Sequence, residues 1–393
     1  MLLRTAAAVT SLGYLMATTL VAGSPVVDAA SSSEPLPAPA AAAAAVRSCQ
    51  SLAGSLSLAD QVGQLFMVGI SSDGLSSSEA KVLRSSHAGS VIFLGTNRSG
   101  VAKVRSLSSK VRKAGVAPQG IAMMVTVDQE GGLVQRLRGP GFERMPTARN
   151  QARLGDAKLA AKATIWGRQL RAAGVNANLA PVADVVPKSL ERVNQPIGRL
   201  DRGYGPDPAV VARKTSAFVK GMEKAGVTTA VKHFPGLGRV RGNTDFEERV
   251  VDTSTVRHAA GLRPFRSGVT SGTDMVMVSS AIYSKIDARN RAAFSPYIIG
   301  QMIRRDLKFG GVVISDDLSA RAMRDVSPGQ RALRFLRAGG DLAIVGDPRQ
   351  AGAMTSAVNK RARTDKVFAH HMTIKAGLVL RMKARHGLAP RCS

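Results

Sequence analysis

The sequence predicts one (β/α)8 barrel, a closed ring of eight parallel strands with helices outside it, over residues 48–393. Eight apolar runs alternate with segments of helical periodicity. The runs are nearly continuous in Val, Ile, Leu and Met, as in strands that are buried on both faces. An open, doubly wound sheet is the alternative. No glycine-rich phosphate-binding motif follows the first run, which argues against a dinucleotide-binding sheet.

The strands are predicted where these apolar runs occur. In chain order they are Gly63–Ile70, Ser90–Leu94, Ile121–Val127, Ala177–Val182, Val227–Val231, Asp274–Ser279, Gly311–Ser315 and Asp341–Gly346. The fifth run leads directly into Lys232 and His233 and then breaks at Pro235 and Gly236, where a strand must end. A cation and an imidazole are therefore expected at the carboxyl end of the fifth strand.

Helices are predicted between the strands from capping residues and from apolar spacing. Ser57 begins the first helix with Asp60 in place of the Glu of a capping box, and Asp207 is an N-cap followed by proline. Further helices are predicted near Ser78, around Trp166 and from Ser295. Their alternation with the strands is what the barrel requires.

The first 47 residues have a different composition from the rest. Residues 1–30 resemble a secretory signal peptide, because Arg4 precedes an Ala-rich apolar run and small residues at Val27 and Ala29 suit cleavage. The run is too interrupted for a stable membrane span. Residues 31–47 are mostly Ala, Pro and Ser with one acid, Glu34, which predicts a linker. The expected location is therefore secreted and cell wall-associated.

The net charge of +28 raises the question of a nucleic-acid partner. Aromatic residues make up only 4% of the chain, and the Lys and Arg residues are scattered along it instead of forming a motif. We therefore expect no nucleic-acid partner. An anionic polymer of the cell envelope is the favoured counter-surface, and the chain is expected to be monomeric.

Only two cysteines occur, Cys49 and Cys392, and they bracket the predicted barrel. In an oxidising compartment they can form one bridge between the chain ends, stabilising the fold by on the order of 4–5 kcal/mol in the chain-entropy model. Two free thiols are the alternative.

Charged side chains collect at the predicted strand ends. Asp128, Glu130 and Arg136 follow strand three, Asp184 follows strand four, Lys232 and His233 end strand five, and Asp316 and Asp317 follow strand seven. The carboxyl ends of barrel strands meet at one rim, where barrel enzymes build their sites. Carboxylates beside Lys, Arg and His suit a sugar, because they bind hydroxyl groups and supply an acid that can attack a glycosidic carbon.

Three motifs resemble glycoside hydrolase family 3, and most closely its single-domain bacterial β-N-acetylglucosaminidases that recycle peptidoglycan. They are Asp128-Gln129-Glu130-Gly131-Gly132, Lys232-His233-Phe234-Pro235-Gly236 and Ile314-Ser315-Asp316-Asp317-Leu318. The resemblance implies that Asp316 is the nucleophile. It also implies that the terminal sugar is held by five side chains: Asp128, Arg136, Arg202, Lys232 and His233. Asp317 is expected to be structural.

One loop departs from that family's pattern of Lys-His-Phe-Pro-Gly-His-Gly-Asp-Thr, two variable residues and Asp-Ser-His, in which the last histidine is the acid/base. Leu237 replaces the first loop histidine, and Asp245 stands where the last one is expected. A carboxyl with a raised pKa can do the same work, so Asp245 is the candidate acid/base. Glu247 and Glu248 are alternatives. His258 is a weaker one, because residues 255–260 read as a helix.

The resulting hypothesis is a retaining exo-glycosidase that removes terminal β-linked N-acetylglucosamine from cell-wall fragments, without a cofactor or a metal. No cysteine or histidine spacing fits a zinc site. Two other functions remain open. A phosphorylase on the same barrel is one, since Arg239 and Arg241 in the loop leave room for phosphate. A wall-sugar-binding protein without catalysis is the other.

Overall fold

The structure is a computed structural model that describes residues 49–392. The signal peptide predicted over residues 1–30 and the linker predicted over 31–47 lie outside the described residues. The barrel predicted over 48–393 corresponds to the described part.

Eight parallel strands form one sheet that closes into a ring. Numbered β1 to β8 in chain order, they are Phe66–Ser71, Ser90–Leu94, Met124–Val127, Ala177–Asn178, Thr228–Phe234, Met275–Val278, Val312–Ser315 and Ala343–Val345. Strands that follow each other in the chain are neighbours in the sheet, and β1 also pairs with β8 through Phe66 and Ala343. The ring closes between β7 and β8, where the Ser315 N–H donates to the Leu342 carbonyl at 3.0 Å. The predicted (β/α)8 barrel is confirmed, and the open sheet is excluded.

The fourth and fifth strands differ from their predicted lengths. Strand β4 covers only Ala177–Asn178 of the predicted run, because Pro181 has no N–H to donate to the ladder. The chain rejoins the sheet at Val182, which bridges to Lys232. Strand β5 in turn runs on to Phe234, so Lys232 and His233 lie within it and at the rim.

Helices precede the first strand, lie between successive strands and follow the last one. They are Leu58–Gln64, Ser77–Ser86, Val101–Ala114, Ala148–Gln151, Asp156–Ala172, Pro208–Lys224, Arg263–Thr270, Pro328–Arg337, Ala351–Thr364 and Lys366–Arg385, together with a π-helix at Tyr297–Asp306. The predicted caps are present: Ser57 accepts from the Asp60 N–H at 3.1 Å, and Asp207 from the Ala209 N–H at 2.7 Å. None of these helices is both long enough and apolar enough to cross a membrane.

The prediction of a helix over residues 255–260 is wrong. This segment is a turn that ends in a short 3-10 helix beginning at Ala260. The Asp252 carboxylate accepts the backbone N–H groups of Ser254 and Thr255 at 2.7 and 2.8 Å. This local arrangement satisfies the backbone in a non-helical conformation and therefore competes with a helix.

The amino-terminal rim of the barrel is closed by the last helix, Lys366–Arg385. The side chain of Lys383 is 1% exposed and donates to Gln64 Oε1, the Gly89 carbonyl and the Ala122 carbonyl at 2.7, 2.7 and 3.1 Å. These acceptors precede β1, β2 and β3 along the chain. One buried amine therefore ties the final helix to three strands.

The two cysteines form a disulfide bond. Cys49 and Cys392 are 343 positions apart in sequence, and their Cα atoms lie 5.0 Å apart. The bond joins the two ends of the described chain beside the amino-terminal rim. The prediction of a bridge is confirmed, and the alternative of two free thiols is excluded.

Candidate active site

The carboxyl ends of the strands surround a cavity of about 350 Å³. All seven residues predicted for the site line it: Asp128, Arg136, Arg202, Lys232, His233, Asp245 and Asp316. They come from five separate parts of the chain, and barrel closure brings them together. Their individual roles stay predictions.

Lys232 forms the charged centre of the cavity floor. Its side chain is 2% exposed, and Nζ lies 2.6 Å from Asp128 Oδ1 and 2.7 Å from Glu130 Oε1. Burial alone would lower the pKa of Lys232, but Asp128 and Glu130 raise it above its ordinary value. Lys232 is therefore a fixed ammonium that orients two carboxylates.

Glu130 is a site residue that sequence reasoning did not select. Arg202 Nε and Nη2 each donate to its carboxylate at 2.8 Å, and Lys232 is its third partner. Burial alone would raise the pKa of Glu130, but Arg202 and Lys232 hold it well below its ordinary range. With Asp128, these residues form a network of two cations and two anions. The signal in the sequence was the position of Glu130 two residues after Asp128, at the same strand end.

Asp184 was noted at the end of strand four but was not selected for the site, and it positions the loop after β5. It is fully buried, and its Oδ2 lies 2.7 Å from His233 Nδ1. Its Oδ1 accepts the backbone N–H groups of His233 and Leu237 at 3.1 and 2.9 Å. Because a carboxylate only accepts, His233 carries its proton on Nδ1 and leaves Nε2 for a ligand in the cavity.

Asp316 follows β7 at the rim of the cavity. Its backbone N–H donates to the Val278 carbonyl at 2.9 Å, which ties it to the end of β6. Its Oδ1 accepts the N–H of Asp317 at 2.9 Å. Asp317 Oδ1 in turn accepts the N–H groups of Ser319 and Gly346 at 2.7 and 2.8 Å. These contacts fit the predicted structural role of Asp317, and they leave Asp316 Oδ2 for a ligand.

Asp245 lies on a short turn that its neighbours hold in place. Its N–H donates to Asn243 Oδ1 at 3.0 Å, and the Phe246 N–H donates to the Asn243 carbonyl at 3.1 Å. The turn is joined to the segment after β7, where Ala322 N–H donates to the Thr244 carbonyl at 3.0 Å. The turn therefore connects the position of Asp245 to the segment that follows Asp316.

The carboxyl group of Asp245 holds its proton more tightly than an ordinary aspartate. The residue as a whole is exposed at the cavity mouth, but protein atoms crowd its carboxyl group. Burial of that group and the negative charge of Asp316 raise the pKa of Asp245 to about 6, against the opposing charge of Arg202. Two carboxylates that share a cavity and influence each other's charge form the arrangement of a glycosidase acid pair.

Leu237 stands where the family pattern has the first loop histidine, and it is packed inside the protein. Leu237 is buried, and Asn194 Nδ2 donates to the carbonyls of Leu237 and Val240 at 2.7 Å each. Asn194 Oδ1 accepts the N–H groups of Ile197 and Gly198 at 3.1 and 2.8 Å. One buried amide therefore joins two loops by four hydrogen bonds.

The alternative acids lie outside the cavity. Glu247 folds back to accept the Asn243 N–H at 3.2 Å, and Glu248 pairs with Arg321 at 2.5 Å. His258 lines a different cavity on the outer surface of the barrel. Among the described residues that line the central cavity, Asp245 and Asp317 are the carboxylates that accompany Asp128 and Asp316, so the geometry favours Asp245 as the acid.

Arg136 is placed differently from the other cations of the site. It lines the cavity, and its backbone carbonyl accepts the Asn97 N–H at 2.8 Å. Within residues 49–392 its guanidinium group forms no ion pair, whereas the guanidinium of Arg202 and the ammonium of Lys232 both pair with carboxylates. Arg136 is therefore available to a ligand. No group of three or more His, Cys, Asp or Glu side chains in this range is arranged to hold a metal ion.

Comparison with known proteins identifies the family. Residues 57–382 match the glycosyl hydrolase family 3 N-terminal domain. The β-hexosaminidase of Stenotrophomonas maltophilia is 32% identical over 307 residues, which cover 76% of this chain and 88% of that protein. A crystal structure of β-N-acetylhexosaminidase from Beutenbergia cavernae aligns with a TM-score of 0.82 and 42% identity, over 84% of this chain and 99% of that one.

A second solved structure carries a related activity in its name. The family 3 β-N-acetylglucosaminidase of Paenibacillus sp. FPU-7 aligns with a TM-score of 0.77 and 28% identity, over 85% of this chain and 63% of that chain. The fold, the motifs and these relatives agree, and the chain belongs to glycosyl hydrolase family 3.

Proposed function

We propose that this glycoside hydrolase is a retaining β-N-acetylhexosaminidase that releases terminal β-linked N-acetylglucosamine, with fragments of cell-wall glycan as its substrates. The names of its relatives support the sugar and the linkage. The observation that carries the mechanism is the placement of Asp245 and Asp316 in one cavity, where burial and the charge of Asp316 raise the pKa of Asp245.

In the first step, the Asp316 carboxylate attacks the anomeric carbon and forms a glycosyl ester. The bond between that carbon and the leaving oxygen breaks, and Asp245 donates its proton to that oxygen. The hydroxyl groups of the terminal sugar are held by Asp128 and Lys232, and His233, which Asp184 orients through Nδ1, offers Nε2 for a further hydrogen bond. Asp245 is left as a carboxylate.

In the second step, water replaces the leaving group. Asp245 removes a proton from the water as its oxygen attacks the anomeric carbon, and the bond to Asp316 breaks. Both acids return to their starting protonation states. Two displacements at the same carbon give a β-configured product, which is the retaining outcome.

Aryl β-N-acetylglucosaminides with leaving groups of different pKa test these roles. Asp316→Asn is expected to lose about 10³-fold or more in turnover on every substrate, because no ester can form. Asp245→Asn is expected to lose about 10²–10⁴-fold on poor leaving groups and little on good ones, because only poor leaving groups need a proton. Added azide is expected to accelerate Asp245→Asn and to give the β-glycosyl azide.

Glu248→Gln is the matched control, since Glu248 is close in sequence to Asp245 but pairs with Arg321 outside the cavity. It is expected to turn over all substrates like the wild type. Undiminished turnover by Asp316→Asn would reject the assigned nucleophile. Wild-type binding of N-acetylglucosamine without any turnover would favour the non-catalytic sugar-binding alternative.

The phosphorylase alternative receives no support from the loop after β5. Arg239 and Arg241 are exposed, and neither lines the central cavity. Phosphate is therefore expected to leave the rate unchanged, with free N-acetylglucosamine as the product. Formation of N-acetylglucosamine 1-phosphate in phosphate buffer would show a phosphorylase instead.

We also propose that the protein is exported and works beside an anionic polymer of the cell envelope. The composition of residues 1–30, the net charge of +28 and the bond between Cys49 and Cys392 support this, since disulfides persist in oxidising compartments. Cell fractionation and mass spectrometry of the mature amino terminus test it. A full-length, reduced protein in the cytoplasm would contradict it.

A further inference from the structure

Phe246 is an aromatic ring held at the mouth of the catalytic cavity. It is 76% exposed, more than any other large apolar side chain among residues 49–392. Within the described part of the chain it is also the only Phe, Tyr or Trp that lines this cavity. The rest of the lining combines charged side chains such as Asp128 and Lys232, which suit hydroxyl groups, with aliphatic side chains such as Leu94. Phe246 therefore adds a different kind of surface to the site.

The exposure of Phe246 does not come from a loosely held loop. Asn243 and Thr244 on the same turn are buried, and the N–H groups of Phe246 and Glu247 both donate to the Asn243 carbonyl, at 3.1 and 2.9 Å. The segment after β7 holds the turn from the other side through Ala322. The backbone thus presents the ring toward solvent in a fixed position, which lowers the entropy cost of binding a ligand there.

The position of Phe246 next to Asp245 indicates which part of a substrate Phe246 would contact. In the proposed mechanism, Asp245 protonates the oxygen that joins the terminal sugar to the rest of the substrate. The group that leaves with that oxygen must therefore lie on the Asp245 side of the cavity, which Phe246 also lines. A pyranose ring offers an apolar C–H face that can pack on an aromatic ring, and rigid aromatic side chains are efficient anchors in binding sites.

We propose that Phe246 is the platform of an aglycone subsite, and that it selects substrates in which a second pyranose follows the terminal N-acetylglucosamine. The preferred substrate class is therefore a β-linked oligosaccharide rather than a glycoside of a small alcohol. This inference rests on the proposed function, because it takes Asp245 as the acid. The role of Phe246 is specificity, since it contributes no atom to the bonds that form and break.

Two substrates that differ only in the leaving group test the subsite. N,N′-diacetylchitobiose carries a second pyranose, whereas N-acetyl-β-glucosaminyl fluoride carries only a fluoride ion and needs no proton. Phe246→Ala is expected to lower kcat/KM for chitobiose by about 10-fold, mainly through KM, from the magnitude of aromatic packing. The same variant is expected to hydrolyse the fluoride at the wild-type rate. Phe246→Tyr keeps the ring and is expected to keep both rates.

Val367→Ala is the matched control, because it also removes an exposed apolar side chain but lies on the outer helix Lys366–Arg385. It is expected to change neither rate. Equal losses on both substrates in Phe246→Ala, or a shift of the pH dependence set by Asp245, would show that Phe246 only supports the turn and would overturn the subsite. Failure of the wild type to hydrolyse even the fluoride would overturn the proposed function, and the subsite with it.

Discussion

At the scale of single residues, Asp245 is the group that donates the proton in the proposed mechanism. A histidine is expected at this position from the family pattern, and the carboxyl group that replaces it has a pKa of about 6 because it is crowded by protein atoms and faces the charge of Asp316. A carboxyl in this condition is protonated in weakly acidic solution and can act as a general acid there.

The pH dependence follows from the direction of this shift. Because the pKa of Asp245 is raised, the acid form persists up to about pH 6, and the fraction that carries a proton falls about tenfold for each further pH unit. We expect kcat/KM on a poor leaving group to fall along the same curve above pH 6, measured by initial rates from pH 4 to 9. Asp245→Asn is expected to abolish this limb. If kcat/KM of that variant still fell above pH 6, the fall would have to come from another titrating group.

The residues that sequence reasoning missed share one property. Glu130 and Asp184 contact other protein side chains, and their importance lies in distances that no spacing in the chain expresses. Glu130 meets Arg202 and Lys232 only after two strand ends and a loop converge. Both missed residues follow predicted strand ends, as several of the seven selected residues do, but neither received a role from the family resemblance.

At the scale of elements, the barrel strands were predictable because each is an apolar run buried on both faces. Two predictions failed for local reasons. The fourth strand is shorter than predicted because Pro181 has no N–H for the sheet, and the helix predicted over residues 255–260 is absent because Asp252 binds the backbone of a turn. The loop after β5 could not be predicted in shape, since Asn194 fixes it from a segment more than 40 residues earlier in the chain.

Substitution of Asn194 tests whether a fixed conformation of the loop after β5 is needed for stability and for turnover. Asn194→Ala leaves the carbonyls of Leu237 and Val240 without their donor, so we expect the free energy of unfolding to fall by about 2 kcal/mol. Turnover on poor leaving groups is expected to fall more than turnover on good ones, because the loop leads into the Asp245 turn.

Urea denaturation and the two-substrate assay measure both effects. Asn150→Ala is the control, since the Asn150 side chain is exposed. Wild-type kinetics in Asn194→Ala at reduced stability would limit Asn194 to a structural role.

At the scale of the whole molecule, the ring of strands is closed off at its amino-terminal rim by Lys383. Burial lowers the pKa of Lys383 to about 7, below the value of about 10.4 in an unfolded chain. The unfolded state therefore binds more protons between these values, and the free energy of unfolding rises with pH across that window.

Lys383→Met is expected to remove this rise. From pH 7 to pH 9, the wild type should gain about 2 kcal/mol relative to the variant, measured by denaturant unfolding at each pH. Lys360→Met is the control, because Lys360 is exposed on the helix Ala351–Thr364. Parallel pH curves for wild type and Lys383→Met would contradict the lowered pKa.

The bond between Cys49 and Cys392 makes the intervening polypeptide a covalent loop that holds nearly the whole catalytic domain. A protease that nicks one exposed turn would open this loop into a single linear molecule and release no fragment. Two bands would separate in a denaturing gel only after reduction. The first cut would therefore leave every barrel strand tethered to the rest.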